Sequence, residues 1–169
     1  DGWAGTSFVP TGTAATIEHV QQGAVAAGRD PLDIEYQAGG AVQFGNDIEL
    51  LLAPRRSGVA FTLGAMGSAT TNFYNDAYSR GGFETEARKV QQLWVEGQRE
   101  EAIQAVPDEL ILQTNFLGTT SEVTERVRSY REAGISVLRV QPEGADMQER
   151  LDSLGAIVDI VKSLNNDDC

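Results

Sequence analysis

Twice in this chain an amphipathic helical pattern stops at a glycine and hands over to a strand-like run, and that order restricts the fold more than composition does. Ile17, Val20, Ala24 and Val25 fall at i, i+3, i+7 and i+8, an apolar stripe of about four turns that closes at Gly28, with Pro31 shortly after. A strand over Ile34–Phe44 follows, imperfectly alternating, with Gly39 and Gly40 in its middle as where another backbone or a ligand comes close. Later, Val123, Val127 and Tyr130 form a stripe that ends at Gly134, and Ile135–Val140 reads as a strand closed by Pro142. With an opening strand over Asp1–Val9, the order is strand, helix, strand, long helical region, strand, helix. This is the grammar of right-handed βαβ units with parallel strands.

The long middle is helical. Ile48–Leu63 has a helix pattern containing Pro54 and Gly58, so a kink or break is expected near Pro54. Residues 64–71 read as loop. Phe83, Ala87, Val90 and Trp94 then make a helix stopped by Gly97; Ile103 and Val106 a short one ended by Pro107; and Asp108–Leu112 a further turn. Thr119-Thr120-Ser121-Glu122 is a capping box in front of the Val123 stripe. Met147, Leu151, Leu154, Val158 and Val161 mark an amphipathic last helix that frays after Asn165. Three strands cannot close a barrel, and a parallel sheet covered on both faces needs more of them. Free edges and an opening on Asp1 instead of Met lead to the expectation of a single partial domain over 1–169, the C-terminal portion of a larger barrel. An independent three-stranded α/β domain is the alternative.

With 13 basic and 25 acidic side chains among 169 residues, a net charge of −12 argues against nucleic acid and anionic membrane surfaces, which need clustered cations. The apolar runs are too short for a membrane span, and the chain reads as cytoplasmic. Cys169 is the sole cysteine, read as an inert tail thiol, and His19 is the sole histidine, so neither a thiolate metal site nor a Ser-His-Asp relay is expected. Gly64-Ala65-Met66-Gly67 lacks the spacing of a phosphate loop. Glu84, Glu86, Glu96, Glu100 and Glu101 interleave with Arg88, Lys89 and Arg99 as a solvated face, and Trp94 reads as core. Trp3, together with Thr6 and Ser7 at the end of the first strand, is open to two readings, strand-end packing or site lining. Arg139, Gln141 and Glu143 at the end of the third strand share that ambiguity, because parallel strands deliver their C-terminal ends to the active face of α/β barrels.

Asp1-Gly2-Trp3 with Thr6-Ser7-Phe8, Ala27-Gly28-Arg29-Asp30-Pro31, and Gly118-Thr119-Thr120 leading to Arg131-Glu132-Ala133-Gly134-Ile135 resemble the luciferase-like flavin and deazaflavin oxidoreductases. Gly64-Ala65-Met66-Gly67, Asn72-Phe73-Tyr74-Asn75, Gly82-Phe83-Glu84 and Ala105-Val106-Pro107-Asp108-Glu109-Leu110 are similar to a subgroup that uses coenzyme F420. The resemblance implies an α/β fold of the (β/α)₈ TIM-barrel type, of which this chain would be about strands six to eight with a helical insertion over about 64–116. It implies F420-dependent hydride transfer to or from a small organic substrate. FMN-dependent monooxygenation, or a truncated flavin-binding or interaction protein without turnover, are the alternatives. It also implies that Thr6 and Ser7 contact the cofactor, that Phe73, Tyr74, Arg139 and Gln141 line the substrate side or a lid, and that the catalytic acid or base lies in an upstream half of the barrel. Homo-oligomeric assembly is expected, and no metal.

Overall fold

The computed structural model describes residues 2–12, 14–67 and 71–166. Cys169, with the end of the fraying tail at Asp167 and Asp168, lies outside the described residues, as do Asp1 of the opening strand and Ser68, Ala69 and Thr70 of the expected loop. The elements in order are β1 (Gly2–Ala4), α1 (Ala14–Ala26), β2 (Glu35–Ala38), β3 (Ala41–Phe44), α2 (Ile48–Ala65), α3 (Phe73–Tyr78), α4 (Glu84–Val95), α5 (Arg99–Gln104), α6 (Asp108–Thr114), β4 (Phe116–Gly118), α7 (Thr120–Glu132), β5 (Val137–Leu138), β6 (Gln141–Pro142) and α8 (Met147–Asn166). A π-helical turn over Ser79–Phe83 joins α3 to α4. The chain divides into two compact units, one comprising Asp1–Thr6, Ala14–Ile48 and Asn115–Cys169, the other Ser7–Thr13 and Glu49–Thr114.

The first unit holds all the strands, and every pairing is parallel, as the helix-to-strand order requires. One sheet has the order β1-β2-β5 and the other β4-β3-β6. The expected strand over Ile34–Phe44 is therefore two pieces interrupted at Gly39-Gly40, while the expected strand over Ile135–Val140 contains only β5 and is followed by β6 beyond its expected end. Pro142 does not close the latter but pairs in β6, opposite Val42. The reason for the glycine is steric. A Cβ on Gly39 would stand 1.9 Å from the carbonyl oxygen of Arg139, so only a residue without a side chain lets the two backbones pass this closely. Around that point Arg139 N–H donates to Ala38 (3.0 Å), Gln141 N–H to Gly40 (3.0 Å) and Glu143 N–H to Val42 (2.9 Å), carrying the ladder across the interruption.

β1 is shorter than expected because the chain turns away after Gly5, whose N–H makes the last bond, to Gln37 O (2.7 Å). β4 is a strand that the sequence reading did not contain: three residues are too few to show a period. All three are buried, and Phe116 packs at 4.9 Å between ring centroids on Tyr130 of α7. Val42, Val123, Val127, Ile157 and Ile160 complete this apolar core.

The second unit is helical. α2 runs through Pro54 without a break into two helices and continues through Gly64 and Ala65. Proline withholds a backbone donor and crowds the carbonyl four residues back, here that of Leu50, and both residues lie on the exposed side of the helix. Arg56, on the opposite side, lies between Asp108 (2.6 Å) and Glu49 (3.2 Å) and donates to Val106 O (3.0 Å), tying α2 to the start of α6. Burial alone would lower its pKa, but Asp108 and Glu49 outweigh this and raise it. No described helix is long and apolar enough to cross a membrane.

The capping box is formed as its sequence predicts. Thr119 N–H and hydroxyl both donate to Glu122 Oε2 at 2.7 Å, and Glu122 N–H donates back to Thr119 Oγ1. Gly118, at φ 117°, leaves the space: a Cβ there would sit 2.5 Å from that carboxylate oxygen. Replacing Thr119 by Ala should cost about 1 kcal/mol in denaturant unfolding. The Thr119 bonds, backbone first, also hold the Glu122 carboxyl below the ordinary range. A depressed folded-state pKa means that the contribution is full above the unfolded value of about 4.3 and fades as pH falls below it. The stability gap between wild type and Glu122→Ala should therefore shrink from pH 6 towards pH 3; a gap independent of pH would contradict the carboxylate's part in the cap.

Candidate active site

One of the residues singled out at strand ends reaches the end of a neighbouring strand in the first unit. Register places Arg139 just beyond β5, beside the interruption at Gly39, and its guanidinium reaches the Gly5 carbonyl at 3.5 Å, one residue before the exposed Thr6. That long bond is its only contact with a hydrogen-bonding group, and no carboxylate pairs with it, among the described residues. Gln141 is exposed two residues further on, its backbone held by Gly40 and its side chain projecting from β6. Trp3 is half-buried. Its indole covers Gly5, where a Cβ would fall 2.4 Å from the ring, and its centroid lies 6.3 Å from that of Tyr36. These contacts make Trp3 a packing residue. The Tyr36 hydroxyl is buried and has no hydrogen-bond partner among the described residues.

Ser7, Phe73 and Tyr74 belong to the second unit. Ser7 has a φ of 54°, the one non-glycine residue with positive φ among those described. Its hydroxyl is hydrogen-bonded to Tyr78, which is 8 % exposed. Burial raises the Tyr78 pKa and nearby Tyr74 adds to this, while the Ser7 bond opposes it, so the phenol stays protonated throughout the neutral range. Sequence reading missed this contact, because Ser7 and Tyr78 lie far apart in the sequence. Phe73 is 61 % exposed and meets Tyr74 edge to face at 5.6 Å.

The motifs around these aromatics are structural. Asn72 caps α3 by accepting from Asn75 N–H (3.0 Å) and donates to Leu63 O (2.8 Å) at the end of α2. Asn75, 5 % exposed, donates from Nδ2 to Ala87 O (2.8 Å) and Leu63 O (3.3 Å), joining three helices through one amide. Gly64 is where Trp94 lies flat on α2, a Cβ there falling 2.3 Å from the indole. Trp94 is half-buried, with Phe61 at 5.8 Å and the Arg99 guanidinium 4.1 Å above its ring.

Parallel strands fed by helices, with hydroxyls and a cation at the strand ends, define an α/β class of protein. A family model for luciferase-like monooxygenases matches residues 1–136, and the chain belongs to that family. It is 27 % identical over 156 residues to a proposed coenzyme F420-dependent oxidoreductase of Mycobacterium tuberculosis, covering 91 % of this chain and 45 % of that protein. The fold is similar to that of the coenzyme F420-dependent tetrahydromethanopterin reductase of Methanopyrus kandleri, with a TM-score of 0.64 and 20 % identity over 87 % of this chain and 41 % of the reductase. The chain thus spans less than half the length of each.

If the Asn72-to-Asn75 motif serves the helix junction, Asn75→Ala should lower unfolding stability by about 2–4 kcal/mol, because it strands two buried carbonyls. Phe73→Ala, on the exposed side, should change it by less than about 0.5 kcal/mol. Equal effects in chemical denaturation would contradict the division of roles.

Proposed function

We propose that this chain is the C-terminal part of a (β/α)₈ barrel that carries out coenzyme F420-dependent hydride transfer to or from a small organic substrate. The observation that carries the reading is Arg139, a guanidinium with no acidic partner among the described residues, held beside the end of β1 by a backbone contact that admits no side chain. It suits the anionic tail of a deazaflavin or an anionic substrate group. The strand order supports the barrel: β1, β2 and β5 lie side by side and parallel, as successive barrel strands do. The name of the mycobacterial relative favours F420 over FMN. In this reading the remaining strands cover the free edges of β1, β4 and β6, a second copy completes a homo-oligomer, and the enzyme works in the cytoplasm.

When bound, the deazaflavin ring supplies the carbon that gives or takes the hydride. This chain's residues bind and orient. In the first unit Arg139 neutralises anionic charge, the Thr6 hydroxyl donates to an oxygen and Gln141 offers an amide to the substrate; in the second, Ser7 carries a hydroxyl of the same kind, and Phe73 and Tyr74 an aromatic surface.

In the complete protein carrying this chain, Thr6→Val should weaken F420 binding about tenfold, the worth of one hydrogen bond to a charged group. Arg139→Ala should raise either the cofactor Kd or the substrate KM by about ten- to a hundredfold. Fluorescence titration and steady-state rates decide it; wild-type values for both variants would overturn the assignment.

A further inference from the structure

One face of α2 is exposed along its length and carries no charge. Leu50, Ala53, Pro54, Ser57, Gly58 and Phe61 are all exposed and recur at i, i+3, i+4, i+7, i+8 and i+11, which makes them a single stripe on the helix. Leu50 is 72 % and Phe61 49 % exposed, and the Phe61 ring meets Trp94 edge to face. The charged residues of the helix fall outside the stripe. Arg56 turns to Asp108 and Val106, and Arg55 donates to Leu51 O. The two inner glycines also differ. Gly64 makes room for Trp94, whereas a Cβ on Gly58 would meet nothing within 4 Å. A glycine inside a helix weakens it, and packing among the described residues gives Gly58 no reason to be one. Close approach by something outside the chain supplies that reason.

The stripe is its own complement. About a centre between Arg55 and Arg56, Leu50 mirrors Phe61, Ala53 mirrors Gly58 and Pro54 mirrors Ser57. A second α2 laid antiparallel on the first sets Leu50 of each helix level with Phe61 of the other, with small residues between, and an isologous contact requires this self-matching. Small residues at the centre let the axes approach to about 8 Å. Two 18-residue helices, each about 27 Å long, bury on the order of 1,000 Å² between them, enough for a specific contact. Charge favours the same partner. Copies of a chain with a net charge of −12 repel one another, and they meet most easily where neither presents a charge. We propose that two copies of the protein pair through α2, antiparallel about a two-fold axis between Arg55 and Arg56. The proposal rests on the homo-oligomer of the proposed function, whose surface it names, and is independent of the cofactor.

The test takes the complete protein carrying this chain through sedimentation equilibrium and thiol oxidation. Gly58→Glu has open space in the single chain but puts a carboxylate into the contact. It should weaken pairing about a hundredfold and leave the helical circular-dichroism signal unchanged. Ser57→Cys in a Cys169→Ser background sets two thiols beside the two-fold axis, and should oxidise to a covalent dimer where the Cys169→Ser parent does not. If Gly58→Glu fails to fold, the covalent dimer decides alone. Wild-type pairing in Gly58→Glu, or no covalent dimer from Ser57→Cys, would overturn the proposal and leave the homo-oligomer to another surface. A wild-type protein that stays monomeric would remove the homo-oligomer and the proposal together. A monomer whose Ser57→Cys thiol is shielded from a maleimide would overturn it in favour of another part of the same chain.

Discussion

Gly39 passes Arg139 so tightly that the space for a methyl group is taken by a carbonyl oxygen. Much of the first unit depends on it. The contact lets β2–β3 and β5–β6 run side by side across an interruption in both, so that the same two stretches of chain are neighbours in each sheet. It also fixes where Arg139 leaves the sheet, next to the last hydrogen-bonded residue of β1. An alanine at position 39 would push the strands apart, and the cation would move with them. Packing and the candidate site therefore share one cause.

The second unit solves a different problem, that of joining short helices whose ends expose unpaired carbonyls. Asn72 and Asn75 supply amide donors to the ends and flanks of α2 and α4, and glycines at positions 64, 81 and 12 let ring, side chain and backbone come close. The motif that bears the family likeness most clearly is thus largely a joint. Its exposed member, Phe73, is the part free to do something else.

The helices were legible because their signals are local: apolar spacing, a glycine stop, a capping box. α7 shows this most fully, since Thr119, Glu122 and Gly134 are each in the role their types predict. The parallel arrangement was legible from the order of elements. Hidden were features that depend on partners distant in sequence. Three-residue β4 has no period to read, and the break at Gly39 depends on a residue one hundred positions away. The break that was one of the two expectations at Pro54 did not occur, since the helix continues through it on an exposed face. Of the candidate site, Arg139 and the strand-end hydroxyls could be named from position alone. The Ser7–Tyr78 bond could not, because nothing local to either residue announces the other.

The central claim is that these strand ends serve a deazaflavin. It is tested most directly by titrating the complete protein with coenzyme F420 and, separately, with FMN, following cofactor fluorescence. The account predicts saturable one-to-one binding of F420 and an affinity for FMN at least about tenfold weaker, a difference of about 1.4 kcal/mol. Tighter binding of FMN, or no saturable binding of either, would contradict it.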